Sequence, residues 1–196
     1  MHDRCRRHAA LVVLAAVLCA CQSERTRDNT GTADSPATAC GGTALSDSGV
    51  GDLRIGLTVA DIAARCRIIR DSTMLRTEGQ PARMIAVQVK GDTIDAEVVN
   101  DSIWRIEVTT PRAVTRDSLG VGTPISRLLT LSGLRVLQGE GNVFVMSDAH
   151  CGLSFEIGVS GPAAASTRWD LAQLRRLPPD TPVSRVLVIG CRGRPS

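Results

Sequence analysis

Residues 85–108, IAVQVKGDTIDAEVVNDSIWRIEV, decide the fold class. Apolar residues alternate at Ile85, Val87 and Val89, Gly91-Asp92 turns the chain, Ile94 to Val99 returns, Asn100-Asp101 turns it again, and Ile103 to Val108 runs on. Period-two alternation broken by turn dipeptides predicts a three-stranded antiparallel meander. In this reading Trp104 packs into the core, the commoner fate of a strand tryptophan.

Upstream, Gly56-Leu57-Thr58 precedes Val59, Ile62, Ala63 and Cys66, the i, i+3, i+4, i+7 spacing of an amphipathic helix. Thr58 is its expected N-cap, with Asp61 three residues on. Arg65, Arg67 and Arg70 trail it, which suits a helix C-terminus; they are read as a solvated face, with lipid headgroups or an acidic partner as the functional alternative. Downstream, a shift of 66 residues places Gly56 on Gly122, Val59 on Ile125, Ile62 on Leu128 and Ala63 on Leu129. Pro124 then falls where a first helical turn tolerates proline. Short strands follow at Leu134 to Val136, Val143 to Met146 and Leu153 to Ile157, with Gly139-Glu140-Gly141 as a turn. An internal duplication is therefore expected.

A short helix around Trp169, Leu171 and Leu174 should end at Pro178-Pro179, and the chain should close with a strand ending at Cys191. The expected fold class is α+β: two helix-plus-antiparallel-meander units, about 51–110 and 118–160, and a closing strand 184–191, in one domain spanning 51–192.

The N-terminus carries a different message. Arg4, Arg6 and Arg7 precede about ten apolar residues, Ala9 to Leu18, too few to span a bilayer of about 30 Å. Residues 1–20 are read as a signal peptide. Leu18-Cys19-Ala20-Cys21 resembles the lipobox of bacterial lipoproteins, which implies cleavage before Cys21 and its acylation with diacylglycerol and a further chain such as palmitate. Several acyl chains anchor stably where one is marginal. Gln22, rather than Asp, after that cysteine resembles the pattern allowing transfer to the outer membrane. Residues 21–50, rich in Ser, Thr, Asp, Gly and Ala, are read as a disordered tether.

Composition narrows the function. Three of the 23 basic residues and one of the 20 acidic lie within the signal, so its removal takes the net charge from +3 to +1. Nucleic-acid binding, which rests on clustered basic charge, is disfavoured. The chain has no tyrosine, and Trp104, Trp169, Phe144 and Phe155 are its aromatics, so stacking platforms for sugars or bases are scarce. His150 is the one histidine beyond the signal, which excludes a two-histidine zinc site within the chain.

Four cysteines remain after Cys5, Cys19 and Cys21 are set aside: Cys40, Cys66, Cys151 and Cys191. An even count in an exported chain reads as two disulfides, with three pairings open. Cys40 with Cys66 and Cys151 with Cys191 is preferred, because each pair then brackets one end of the fold. There is no CxxC spacing, so no metal site is assigned, and no cofactor. Asp148, His150 and Cys151 form the most tempting catalytic cluster. Neighbours on a strand point to opposite faces, however, and Cys151 is wanted for a disulfide. No GxSxG, HExxH or P-loop occurs, and Gly158-Val159-Ser160-Gly161, one position short of a nucleophile elbow, reads as a turn.

Leu53 to Cys66, with Gly-Leu-Thr opening an apolar helix, resembles the Gly-Met-Thr helix start of the small outer-membrane-protein-A lipoproteins, and the tandem arrangement is similar to β-lactamase-inhibitor-protein-like modules. These resemblances imply a sheet packed against helices and action by binding other proteins. The expected function is a non-enzymatic lipoprotein of the bacterial envelope, held in the bilayer through Cys21, that binds or supports another envelope protein. The alternative is a periplasmic hydrolase or small-ligand binder using His150 and nearby carboxylates.

Overall fold

The computed structural model describes residues 39–75, 79–139, 141–159 and 168–191. The signal segment, Cys21 and the tether to residue 38 lie outside the described residues, as do residues 160 and 161 of the expected Gly158–Gly161 turn. The chain runs β1 (Leu45–Ser46), β2 (Gly49–Val50), β3 (Leu53–Arg54), α1 (Val59–Ala63), β4 (Ile68–Leu75), β5 (Pro81–Val89), β6 (Asp92–Val99) and β7 (Ser102–Val108). It continues with α2 (Ile125–Leu128), β8 (Arg135–Gly139), β9 (Asn142–Ser147), β10 (His150–Ile157), α3 (Leu171–Leu174) and β11 (Val183–Val188). The fold is mostly sheet with a few short helices. Eight strands form one sheet in the order β4-β5-β6-β7-β11-β10-β9-β8, antiparallel throughout, and β1 to β3 form a small second sheet.

Several expectations need correction. The meander over 85–108 has a fourth strand, β4, outside it. The second meander likewise has four strands, and its last is β11, so the strand expected merely to close the chain completes the second unit. Residues 39–50 are not tether: Leu45 and Val50 are buried in the small sheet, which is held to the large one where Gly152 Nα donates to Asp47 Oδ1 at 3.2 Å. A Cβ on Gly152 would lie 1.9 Å from the Asp47 carbonyl oxygen, so this approach requires glycine. The first hairpin turns at Lys90-Gly91 rather than Gly91-Asp92, and the second at Asn100-Asp101. All four residues have positive φ, as type I′ turns demand.

Helix α1 is set by its cap. Thr58 Oγ1 accepts from Asp61 N at 3.1 Å while the Asp61 carboxylate accepts from Thr58 N, a full capping box. That hydrogen bonding from Thr58 holds the Asp61 carboxyl below the usual carboxylate range. Only one turn follows, since Cys66, expected on the helix, lies beyond it and is bonded to Cys40. The loops entering α1 and α2 make the same pattern of hydrogen bonds. Gly56 N donates to Ile103 O, Ile103 N to Leu57 O and Val59 N to Asp101 O; correspondingly Gly122 N donates to Val183 O, Val183 N to Thr123 O and Ile125 N to Thr181 O. Gly56 and Gly122 have φ of 85° and 87°, so both loops enter their helices through a left-handed residue.

The core lies on one face of the large sheet. Ile85, Ile94, Ile106 and Phe155 there belong to one buried cluster with Leu53, Ile62, Leu128 and Leu174 from the small sheet and helices. Of the three possible pairings, the structure has Cys40–Cys66, with Cα atoms 4.7 Å apart, and Cys151–Cys191, 5.0 Å apart. The first is buried and fastens the segment entering the fold to the end of α1; the second lies at the surface and fastens β10 to the residues after β11. Replacing Cys40 and Cys66 together by Ala should lower unfolding free energy by about 2–4 kcal/mol, and Thr58→Ala by about 0.5–2 kcal/mol. Chemical denaturation checks both.

Candidate functional site on the outer face of the sheet

The face opposite the core carries a ladder of charge across its four central strands. Arg105 on β7 stands opposite Glu97 on β6, and Arg185 on β11 opposite Glu156 on β10. Arg105 Nη2 lies 2.7 Å from Glu97 Oε2, and Arg185 Nε 2.7 Å from Glu156 Oε2. Glu107 joins the pairs, 3.6 Å from Arg105 Nη2 and 3.1 Å from Arg185 Nη1. The five side chains are only 12–23% exposed. Charges this enclosed need mutual compensation, and here each arginine serves two carboxylates. Asp95, opposite Glu107, would repel it; instead Arg70 Nη2 reaches across Ala86 to Asp95 Oδ1 at 2.6 Å. Arg70 is thus a strand residue in an ion pair, not the helix terminus expected.

Trp104 sits beside this ladder and not in the core. From Glu97 to Val98 β6 advances one residue while β7 goes from Arg105 to Ile103, so Trp104 is the extra residue of a β-bulge. Counting back by twos from the buried Val108 and Ile106 puts Trp104 inside. The bulge reverses the phase, brings Ile103 inside and leaves Trp104 45% exposed. Two residues beyond Glu97 on the same face is the exposed Val99; two beyond Ser72, which pairs with Met84, is the exposed Met74. β11 has a bulge at the matching place, where Ser184 is the extra residue between Val183 and Arg185.

His150 lies elsewhere and does not meet the partners its neighbours in sequence suggested. Cys151 is taken by Cys191, and Asp148 sits 3.5 Å from Arg135 Nη2. The carboxylate at His150 is Asp117, 33 residues away, with Nε2 and Oδ2 3.0 Å apart. Asp117 belongs to the loop before α2; its other oxygen accepts from Thr115 Oγ1 at 2.6 Å. That hydroxyl holds the Asp117 carboxyl below the usual range, burial opposes the shift, and His150 adds to it. The His150 ring also stands edge-on to Phe155, centroids 6.3 Å apart. The cluster clamps the loop onto β10. Asp47 Oδ2 lies 3.8 Å from Cys151 Sγ, but the disulfide uses both sulfurs, so Asp47, Cys151 and Cys191 are no ligand set while it is intact.

No family model matches the chain, and no curated protein matches it. Among solved structures it is similar to the uncharacterized protein yfeY from Escherichia coli, with a TM-score of 0.52 and 18% identity, covering 78% of this chain and 99% of that one. At this identity the likeness is one of fold.

Arg185→Met should lower stability by about 1–3 kcal/mol, because Glu107 and Glu156 lose an enclosed partner. Adding Glu107→Leu and Glu156→Leu should recover most of that loss in the same denaturation assay. Acid acts through Asp61, Asp71, Asp92 and Asp117, whose carboxyls are all lowered by hydrogen bonds. Hydrogen bonds from Arg83 lower the Asp71 carboxyl as those from Thr115 and His150 lower Asp117. A carboxyl lowered by folding contributes stability above its unfolded value of about 3.9 and loses it as pH falls through the folded value. Stability should therefore drop below about pH 4, and less steeply in Asp117→Asn, as thermal melts across pH would show.

Proposed function

We propose that this chain is an outer-membrane lipoprotein of the bacterial envelope, anchored through acylated Cys21, that acts by binding another envelope protein on the outer face of its sheet. The observation that carries the reading is Trp104, pushed outward by a bulge beside a cross-linked ladder of arginines and glutamates. Large aromatic side chains set in a pre-ordered polar surround are the usual anchors of protein interfaces. The lipobox-like Leu18–Cys21, the apolar run before it and the resemblance to families that act by binding proteins support the same reading.

The tandem plan belongs to this proposal. We infer that the two halves, each a short helix and four antiparallel strands, arose by duplication. Matching hydrogen bonds at Gly56 and Gly122, matching bulges at Trp104 and Ser184, and the 66-residue offset of the helices support it.

The test places a photo-crosslinking residue at Val99, beside Trp104, in cells. One dominant adduct with an envelope protein is expected, absent when the same residue replaces Leu137 at the far end of the sheet. Trp104→Ala should weaken the interaction by about tenfold or more, and Cys21→Ala should abolish the adduct by releasing the protein from the membrane. No adduct at Val99, or one that survives Trp104→Ala undiminished, would overturn the reading.

A further inference from the structure

We infer that β4 is a pairing edge for a second copy of this chain, the two β4 strands running antiparallel to join two eight-stranded sheets. Strand β4 ends the sheet and, among the described residues, has β5 as its ladder partner along its length. It spans the eight residues Ile68–Leu75, whereas β8 at the opposite edge has five. Exposed strand edges invite pairing unless proline, lysine, outward charge or a bulge blunts them, and the bulge of β4 is confined to Ile69 near its start. Neither proline nor lysine occurs in β4, and its two charged residues are turned back into their own sheet. Arg70 pairs with Asp95, and Asp71 takes a two-pronged contact from Arg83 at 3.0 and 2.7 Å. Met74 and Leu75, by contrast, are 47% and 76% exposed. Cys40, bridged to Val89, continues the line of β4 along the edge of β5, and past the bulge Arg70 to Leu75 form an unbroken ladder with β5.

The sequence of β4 selects a register with itself. A two-fold axis normal to the sheet keeps like faces together, so the strand pairs about a single residue. Centred on Arg70 or on Asp71, the ladder sets identical charges opposite each other. Centred on Ser72, it sets Asp71 opposite Thr73 and Arg70 opposite Met74, whose side chain can lie along the arginine stem. The same axis keeps both core faces, with the buried Cys40 of each copy, on one side of the joined sheet. Edge pairing buries less than a standard interface, so association near the micromolar range is expected in solution, and a shared membrane raises the effective concentration. The inference stands apart from the partner-binding reading, since it concerns the sheet edge and not Trp104.

Sedimentation equilibrium on the full chain in detergent tests it. A monomer–dimer equilibrium is expected. Met74→Lys, which faces Arg70 of the second copy, should weaken it by about tenfold or more, while Met74→Glu should tighten it. Opposite signs at one exposed position cannot come from damage to the fold, and melting temperatures should stay close to that of the unaltered chain. Ser72→Cys should form an intermolecular disulfide under oxidation, and Leu137→Lys on the other edge should change nothing. A strictly monomeric chain, equal effects of Met74→Lys and Met74→Glu, or no cross-link through residue 72 would each overturn the inference.

Discussion

Three residue pairs between β7 and β11 turn two four-stranded meanders into one sheet: Ile106 with Val188, Glu107 with Leu187, and Val108 with Val186. Ile106, Val108, Val186 and Val188 face the core and are fully buried. Glu107 and Leu187 face the other way, at the centre of the ladder. The seam thus depends on a carboxylate, and that carboxylate on Arg105 and Arg185, one from each half. The ion pairs at the periphery are of another kind. Arg70 and Asp95 are 50% and 40% exposed, where water screens the attraction and a pair contributes little. At the seam low exposure raises both the attraction and the penalty for leaving a charge unmatched.

The inner strands were legible in the sequence because burial on one face imposes alternation. Ile94, Ala96 and Val98 could be assigned to the core from spacing alone, and Asn100-Asp101 announced its own turn. Strand β4 was not legible, since an edge strand with both faces largely exposed has no apolar period to display: Arg70, Asp71, Ser72 and Thr73 read as loop. The small sheet has no legible pattern for a related reason. Its strands are two residues long, shorter than any window in which periodicity can be counted, and its buried residues are scattered through glycine and serine.

The site was less legible than the fold. Arg105, Glu107, Arg185 and Glu156 come together only through the β7–β11 crossover and hairpin register, which local sequence does not encode. Asp117 reaches His150 from 33 residues away, through a loop with no motif. An unbroken period of two places Trp104 inward, and the bulge reverses it. A hint was present in the spacing of Ile103, Ile106 and Val108, which no regular strand can place together on one face.

Under the proposed duplication, the places where the halves differ say more than those where they agree. Arg105 corresponds to Arg185 and Glu97 to Glu156, so each half keeps its own neutral pair. Glu107, however, corresponds to Leu187, and Trp104 to Ser184. A second glutamate at Leu187 would set two carboxylates directly opposite each other at the seam, so one of the two central positions must be apolar or of opposite charge. No such constraint bears on the bulge, which needs an extra residue but not a particular side chain. Serine at residue 184 meets the backbone requirement as well as tryptophan does at residue 104. The bulge itself therefore does not select the indole, and in the proposed function Trp104 is the side chain that a partner grips.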